Sequence, residues 1–595
     1  MKRAAVLICV SMLFVAACSP KTEEQAAAPA GNTATVADVV YTNGKIYTVN
    51  EAQPWAEAVA IKDGKFLAVG SADDVAAATG DSTEVVDLAG AFAMPGIGDT
   101  HIHPSMVMPK RAFCGLPGTF YEPTEEQTID ALKECIANYP DDREWFIATG
   151  WTMPALAPET LTREYLDKLI PDRPAFIEDE TGGHTAWFNT KAMEAAGISK
   201  ATEDTPESFY SRTEDGDLSG LAFEGGLNPF LNAMPAFDTD LRKIAYMKLL
   251  DEASSKGITA VGDAYVFELD LQAWQELKQE GKLNQHTTLY LGGNLGTAEL
   301  RPVAELLEWW NAYDLPGHKA VKLGMDGSIE SFSAPLVDGY ARSDKSAIES
   351  PLPGDQLLDD EADTDDVVDP LVPAAEFADY INQLDDAGFQ VKVHAIGDGS
   401  VRATLDGYEA TIKENGNNRL RHHIDHCSLI HPDDFQRFVD LDVSCTIWPP
   451  LNAPVGYNVG NIKPVLKAET WARMYANRDR LDAGMRLVNH TDAPAATLWP
   501  WWGMEASVTR GTPGKPDVPK MSPEQAITVA EAIEAYTINT AWSLLVDEET
   551  GSIKVGKSAD MIVLNHNLLE ISVTDIHKTE VQQTIFQGEV VYSAE

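Results

Sequence analysis

The chain has 595 residues and a formal net charge of −47, from 45 Lys and Arg against 92 Asp and Glu. An apolar fraction of 44% and a charged fraction of 23% exclude a disordered chain, a coiled coil and a collagen-like chain. The acidity argues against DNA or RNA as a partner, since phosphate recognition needs a basic surface, and the length asks for one large body with at least one accessory domain.

Residues 1–18 read as an export signal: Lys2 and Arg3, then the apolar run Ala4 to Ala17, too short to span a bilayer comfortably. Val15-Ala16-Ala17-Cys18 resembles the bacterial lipobox, so Cys18 is expected to become a lipid-carrying N-terminus. An ordinary cleaved signal stays open beside it. Residues 19–37 are small, polar and unpatterned, and read as a flexible tether. The expected location is the bacterial cell envelope, as a periplasm-facing lipoprotein. Ser19 after Cys18 leans towards the outer membrane. Cys114, Cys135, Cys427 and Cys445 remain in the body, with no CxxC pair. An oxidising compartment permits one bridge, and Cys114 with Cys135 is the nearer pair.

From Val39 the pattern is strand and turn, with Asn43-Gly44 and Asp63-Gly64 read as hairpin turns. Similar strand runs return near the C-terminus, so residues 38–92 and 548–595 are expected to form one β-sandwich from both ends of the chain. Between them, 93–547 alternates apolar runs with helical stretches: 92–103, 257–264, 286–293, 320–328, 390–398, 421–429, 443–449 and 486–494. Eight such units are what a (β/α)8 barrel requires. The fold class is therefore α/β, a TIM-like barrel. The long gap after the first unit, about 104–256, reads as an inserted subdomain over the barrel mouth, with strand candidates at 145–151 and 174–180. The acidic stretch 354–370 reads as a solvated loop. It lacks the spacing of an EF-hand calcium site.

Histidine placement carries the chemistry. His101 and His103 straddle Ile102, and residues i and i+2 of a strand point the same way. His394 ends the fifth run, His426 the sixth and Asp492 the eighth, and strand ends share one cavity in a barrel. Imidazoles with a carboxylate suit Zn²⁺ or a similar first-row metal. Lys322 on the fourth run would repel such cations as an ammonium. As a neutral amine it could take up CO₂ and become an anionic carbamate ligand. A salt bridge to a carboxylate such as Asp326 is the other reading.

The order HxH, Lys, His, His, Asp resembles the amidohydrolase superfamily. Pro95 to His103, Gly182 to Asn189, Lys322 to Ser328, Val393 to Asp398, Thr537 to Ala541 and Gly551 to Asp560 resemble its YtcJ-like branch, amidohydrolase family 3. The resemblance implies two divalent metal ions, with zinc expected, sharing a hydroxide. His101, His103, carbamylated Lys322 and Asp492 would hold one; the carbamate, His394 and His426 the other. Asp492 would move the proton, and a C–N bond in an amide, formamide, carbamate or cyclic imide would be cleaved. His184 would either bind the substrate carbonyl or cap a loop. Glu224 is a weaker candidate for substrate or metal, and Trp499 either lines a substrate pocket or packs with Trp501 and Trp502. His423 and Asp425 stand where the branch usually shows Arg and Glu, positions read as lying behind the ligands. A mononuclear deaminase and a non-catalytic lipid-anchored binding protein are the rival readings. A small-molecule partner is expected, and a homodimer stays open.

Overall fold

The computed structural model describes residues 35–594 apart from 118–122, 152–154, 180–184, 205–207, 295–297, 331, 342–367, 417–418 and 495–496. Cys18, His184 and nearly all of the acidic stretch lie outside the described residues, as does the side chain of Glu224.

Eight parallel strands form one sheet: Ile97–Ile102, Ile258–Val266, His286–Gly292, Ala320–Gly324, Gln390–Ala395, His423–His426, Ser444–Ile447 and Leu487–Asn489. They neighbour one another in chain order. The last returns to the first through hydrogen bonds from Asp492 N to His101 O and from His103 N to Ala493 O, at 3.0 and 2.7 Å. The barrel is thus nearly closed, and each expected strand run contributes one strand. These strands are buried on both faces, so they read as nearly continuous apolar runs rather than alternating ones. Their outward residues, such as Val391 and Val393, join one large core with the surrounding helices.

The run 92–103 divides where one strand was expected. Phe92–Pro95 belongs to the sandwich and pairs antiparallel with Met561–Leu564, while the barrel strand starts at Ile97. Gly96 makes the junction, because a Cβ there would run into the Thr259 side chain. Phe92–Pro95 lies within the first sandwich piece rather than at the barrel's start.

The sandwich has a four-stranded and a six-stranded sheet. The six-stranded sheet joins Lys45–Tyr47, Trp55–Ala56 and Phe92–Pro95 on one side to Met561–Leu564, Val581–Phe586 and Glu589–Ser593 on the other. Ile46, Phe66, Leu88, Met561 and Ile585 share one buried cluster. Asp63-Gly64 is a two-residue hairpin with both residues at positive φ, 48° and 74°. Asn43-Gly44 is not. It carries the chain from Val39–Thr42 in one sheet to Lys45–Tyr47 in the other. The dipeptide supplies the left-handed residue, but the flanking strands find their partners elsewhere.

The insertion holds a five-stranded sheet, with Phe146–Trp151 and Ala175–Asp179 close to the expected strands. Ile177 and Trp187 pack into a cluster on one face, Phe176 and Phe188 into a cluster on the other. Cys114 and Cys135 are disulfide-bonded, with Cα atoms 5.4 Å apart. Cys427 and Cys445 are free and buried.

Candidate metal centre

Strand alternation aims Asp99, His101 and His103 along one face of the first barrel strand. His101 Nε2 lies 3.0 Å from His103 Nε2 and 3.3 Å from Asp492 Oδ1, and His103 Nε2 lies 2.9 Å from the same oxygen. Zinc bonds to nitrogen and oxygen are about 2.0–2.2 Å, so donors around one tetrahedral ion stand about 3.3 Å apart. These three atoms fit that ion. Their spare nitrogens are occupied: His103 Nδ1 meets the Ala264 carbonyl at 3.0 Å and His101 Nδ1 meets Asp425 Oδ2 at 2.7 Å. Histidines that hold metals are oriented in this way, through the ring nitrogen that does not ligate.

His394 follows the same pattern. Its Nε2 faces the Gly327 carbonyl at 3.2 Å, which leaves Nδ1 for a ligand. Its ring stands 4.5 Å from that of His426, and His426 stands 5.0 Å from His101. His426 should point away from the mouth, because it follows Asp425, which points in. The backbone breaks the alternation there, with φ of 69° at His426 and 39° at Cys427. This left-handed step turns the ring back into the site. Burial holds the His394 ring down at about 4, so it stays neutral and able to donate a lone pair.

Lys322 is fully buried and ion-paired with Asp425. Asp326, the carboxylate named in the salt-bridge alternative, instead accepts backbone hydrogen bonds from Ile396 and Gly397. Asp425 is more central than the sequence reading placed it. It receives Lys322 and His101 on Oδ2 and the Thr446 hydroxyl on Oδ1 at 3.0 Å, with Lys392 Nζ at 3.8 Å. Burial alone would raise its carboxyl, but Lys322, Lys392 and His101 hold it well below the usual range.

Three further residues escaped sequence reading. Asp99 accepts from the backbone N–H groups of His101 and Thr491 and from the Thr491 hydroxyl, pinning the turn that carries Asp492. Lys392, in register with Lys322, lies with its ammonium 4.0 Å from the Tyr290 ring centre. His490 is fully buried beside His101 and His426, with ring centres 5.1 and 4.8 Å away. His490 stands in the same strand-end run as Asp492, and that signal was available. Trp501 packs into the main core, and the Trp499 ring stacks with Trp502 at 6.4 Å.

The family model described as "Amidohydrolase family" matches residues 84–592. The chain is 26% identical to Protein LONG AFTER FAR-RED 3 of Arabidopsis thaliana, over 94% of this chain and 92% of the other. It is 24% identical to N-substituted formamide deformylase of Arthrobacter pascens, over 93% and 98%. Among solved structures, an uncharacterized metal-dependent hydrolase from Pyrococcus horikoshii shares the fold, with a TM-score of 0.68 at 23% identity over 90% and 99% of the two chains. Hydrolases of this kind take small-molecule substrates. With the family matched along most of its length and imidazoles and a carboxylate converging at the mouth of its barrel, the chain belongs to the amidohydrolase family and is a metal-dependent hydrolase.

Proposed function

We propose that the chain hydrolyses a C–N bond of a small molecule, in an amide, formamide, carbamate or cyclic imide. The observation that carries this reading is the convergence of His101 Nε2, His103 Nε2 and Asp492 Oδ1 within 3.3 Å, each histidine oriented through its other nitrogen. The activity printed in the name of the Arthrobacter pascens relative, deformylation of a formamide, supports the bond type. A divalent metal such as Zn²⁺ held there polarises a carbonyl and makes water acidic enough to attack near neutral pH.

His101, His103 and Asp492 would hold one ion, with His394 and His426 on its flank. Asp492 would accept the proton of the attacking water and deliver it to the leaving nitrogen. Burial would raise its carboxyl, but the His101 and His103 rings hold it well below the usual range, so it is free to accept. Carboxylation of Lys322 requires its Nζ to leave Asp425. Bicarbonate added during zinc loading is then expected to raise metal content. The pairing of Lys322 with Asp425 also favours a one-metal deaminase as second reading, and metal analysis separates the two: near two ions per chain for amide hydrolysis, near one for the rival.

The test is a hydrolysis screen of the zinc-loaded protein with N-acyl amino acids, formamides, carbamates and hydantoins. Turnover of one class supports the reading, and a flat result over all four overturns it. For location we propose an extracytoplasmic, lipid-tethered protein. The Cys114–Cys135 bridge supports an oxidising compartment. Among the described residues no helix is long and apolar enough to cross a membrane. Labelling with a radioactive fatty acid, lost in Cys18→Ser, tests the tether.

A further inference from the structure

His490 has no role in the arrangement above, yet it lies at the heart of the cluster. It is fully buried, and among the described residues neither ring nitrogen has a hydrogen-bond partner. Leaving a buried polar group unpaired costs about 1–3 kcal/mol, so a group kept in this state calls for a ligand or an ordered water. The neighbouring histidines differ from it. His101 and His103 each have one nitrogen tied back to protein and one aimed into the mouth.

The position of His490 follows from the eighth strand. It stands just past the end of Leu487–Asn489 and two residues before Asp492. Its backbone N–H donates to the Ile447 carbonyl at 3.1 Å, fixing the strand end. Its ring is held between His101, stacked at 5.1 Å, and Trp448, stacked at 6.2 Å, and meets His426 edge-on at 4.8 Å. The donor atoms of His101, His426 and His490 all lie within 4.8 Å of one another.

We propose that His490 is a metal ligand, donating a ring nitrogen, with His426, to an ion beside the one that His101 Nε2 faces. The site is then completed by a third neutral imidazole from the eighth strand, a donor set that takes Zn²⁺ or Co²⁺. The inference rests on the reading of the cluster as a metal centre, and its test keeps the two apart.

The wild type, His490→Asn, His490→Ala and His103→Ala are each loaded with Co²⁺. Visible absorption and competition with a chromogenic chelator report the coordination and the affinity. Circular dichroism of the metal-free proteins checks folding. The expected result is that both His490 variants fold, lose Co²⁺ affinity at least about tenfold and show an altered d–d spectrum. His490 variants with wild-type affinity and spectrum overturn the assignment of His490 while leaving the metal centre intact. A wild type that binds no Co²⁺, like His103→Ala, overturns the metal-centre reading itself. If neither His490 variant folds, X-ray absorption of the zinc-loaded wild type counts imidazoles per ion. Without His490, the ligands His101, His103, His394 and His426 average at most two imidazoles per ion over two ions. With the metal content first measured at two ions per chain, that average overturns the proposal and a higher one supports it.

Discussion

Asp425 shows how much one buried carboxylate can organise. It neutralises Lys322, faces Lys392 and orients His101, all from the interior of the barrel. Asp425→Asn keeps the shape and removes the charge. Breaking a buried pair on one side costs about 3–5 kcal/mol, so urea unfolding is expected to shift by that amount. Metal content is expected to fall with it, because His101 loses its acceptor. Asp99 acts one step further back, holding the Thr491 turn beneath Asp492. Asp99→Ala is expected to weaken metal binding about 10–100-fold, measured by chelator competition, with the barrel still folded. The ligand candidates were legible as residue types at strand ends. Asp425 was read only as lying behind them, and Asp99 and Lys392 were not read at all, because a buried charged residue reads like a surface one until its partners, distant in sequence, are brought against it.

At the scale of elements, the eight barrel strands were legible because each is a short apolar run bounded by turn residues and helical pattern. Boundaries were less so where no polar residue intervenes. Phe92 to Ile102 reads as one strand, and only the approach of Thr259 shows why Gly96 divides it. Gly96→Val is expected to overpack this junction and cost about 1–3 kcal/mol, visible as a lower denaturation midpoint, with metal content per folded molecule retained. Three insertion strands, Thr185–Phe188, Ser208–Arg212 and Leu218–Glu224, went unrecognised. Their short runs carry no strong alternation and gain their identity from pairing. His426 was read into the cavity as a strand-end residue, although alternation from Asp425 predicts the other face; the left-handed backbone at its strand end is what brings it in.

At the scale of the molecule, the sandwich, the barrel and the insertion each have their own apolar cluster. The disulfide closes a loop of 21 residues within the insertion. Reduction is expected to destabilise that subdomain by about 3 kcal/mol through loop entropy, seen as an earlier unfolding phase in denaturant with reductant present. Barrel unfolding is expected to move less, because Cys427 and Cys445 are already free. Removing metal with a chelator is expected to lower the midpoint of the barrel and leave the insertion's phase in place, by simple binding linkage.

The sandwich sheet built from both ends of the chain sets a timetable for its completion. Phe92–Pro95 leaves the ribosome early, but its partner Met561–Leu564 follows about 470 residues later. At about 5–20 residues per second that is a wait of roughly half a minute to a minute and a half. For that interval the strand edge is open to any other extended chain. A chain that ends before residue 561 would therefore display an adhesive edge, and its capture of extended peptides is expected to stop once Met561–Leu564 is present.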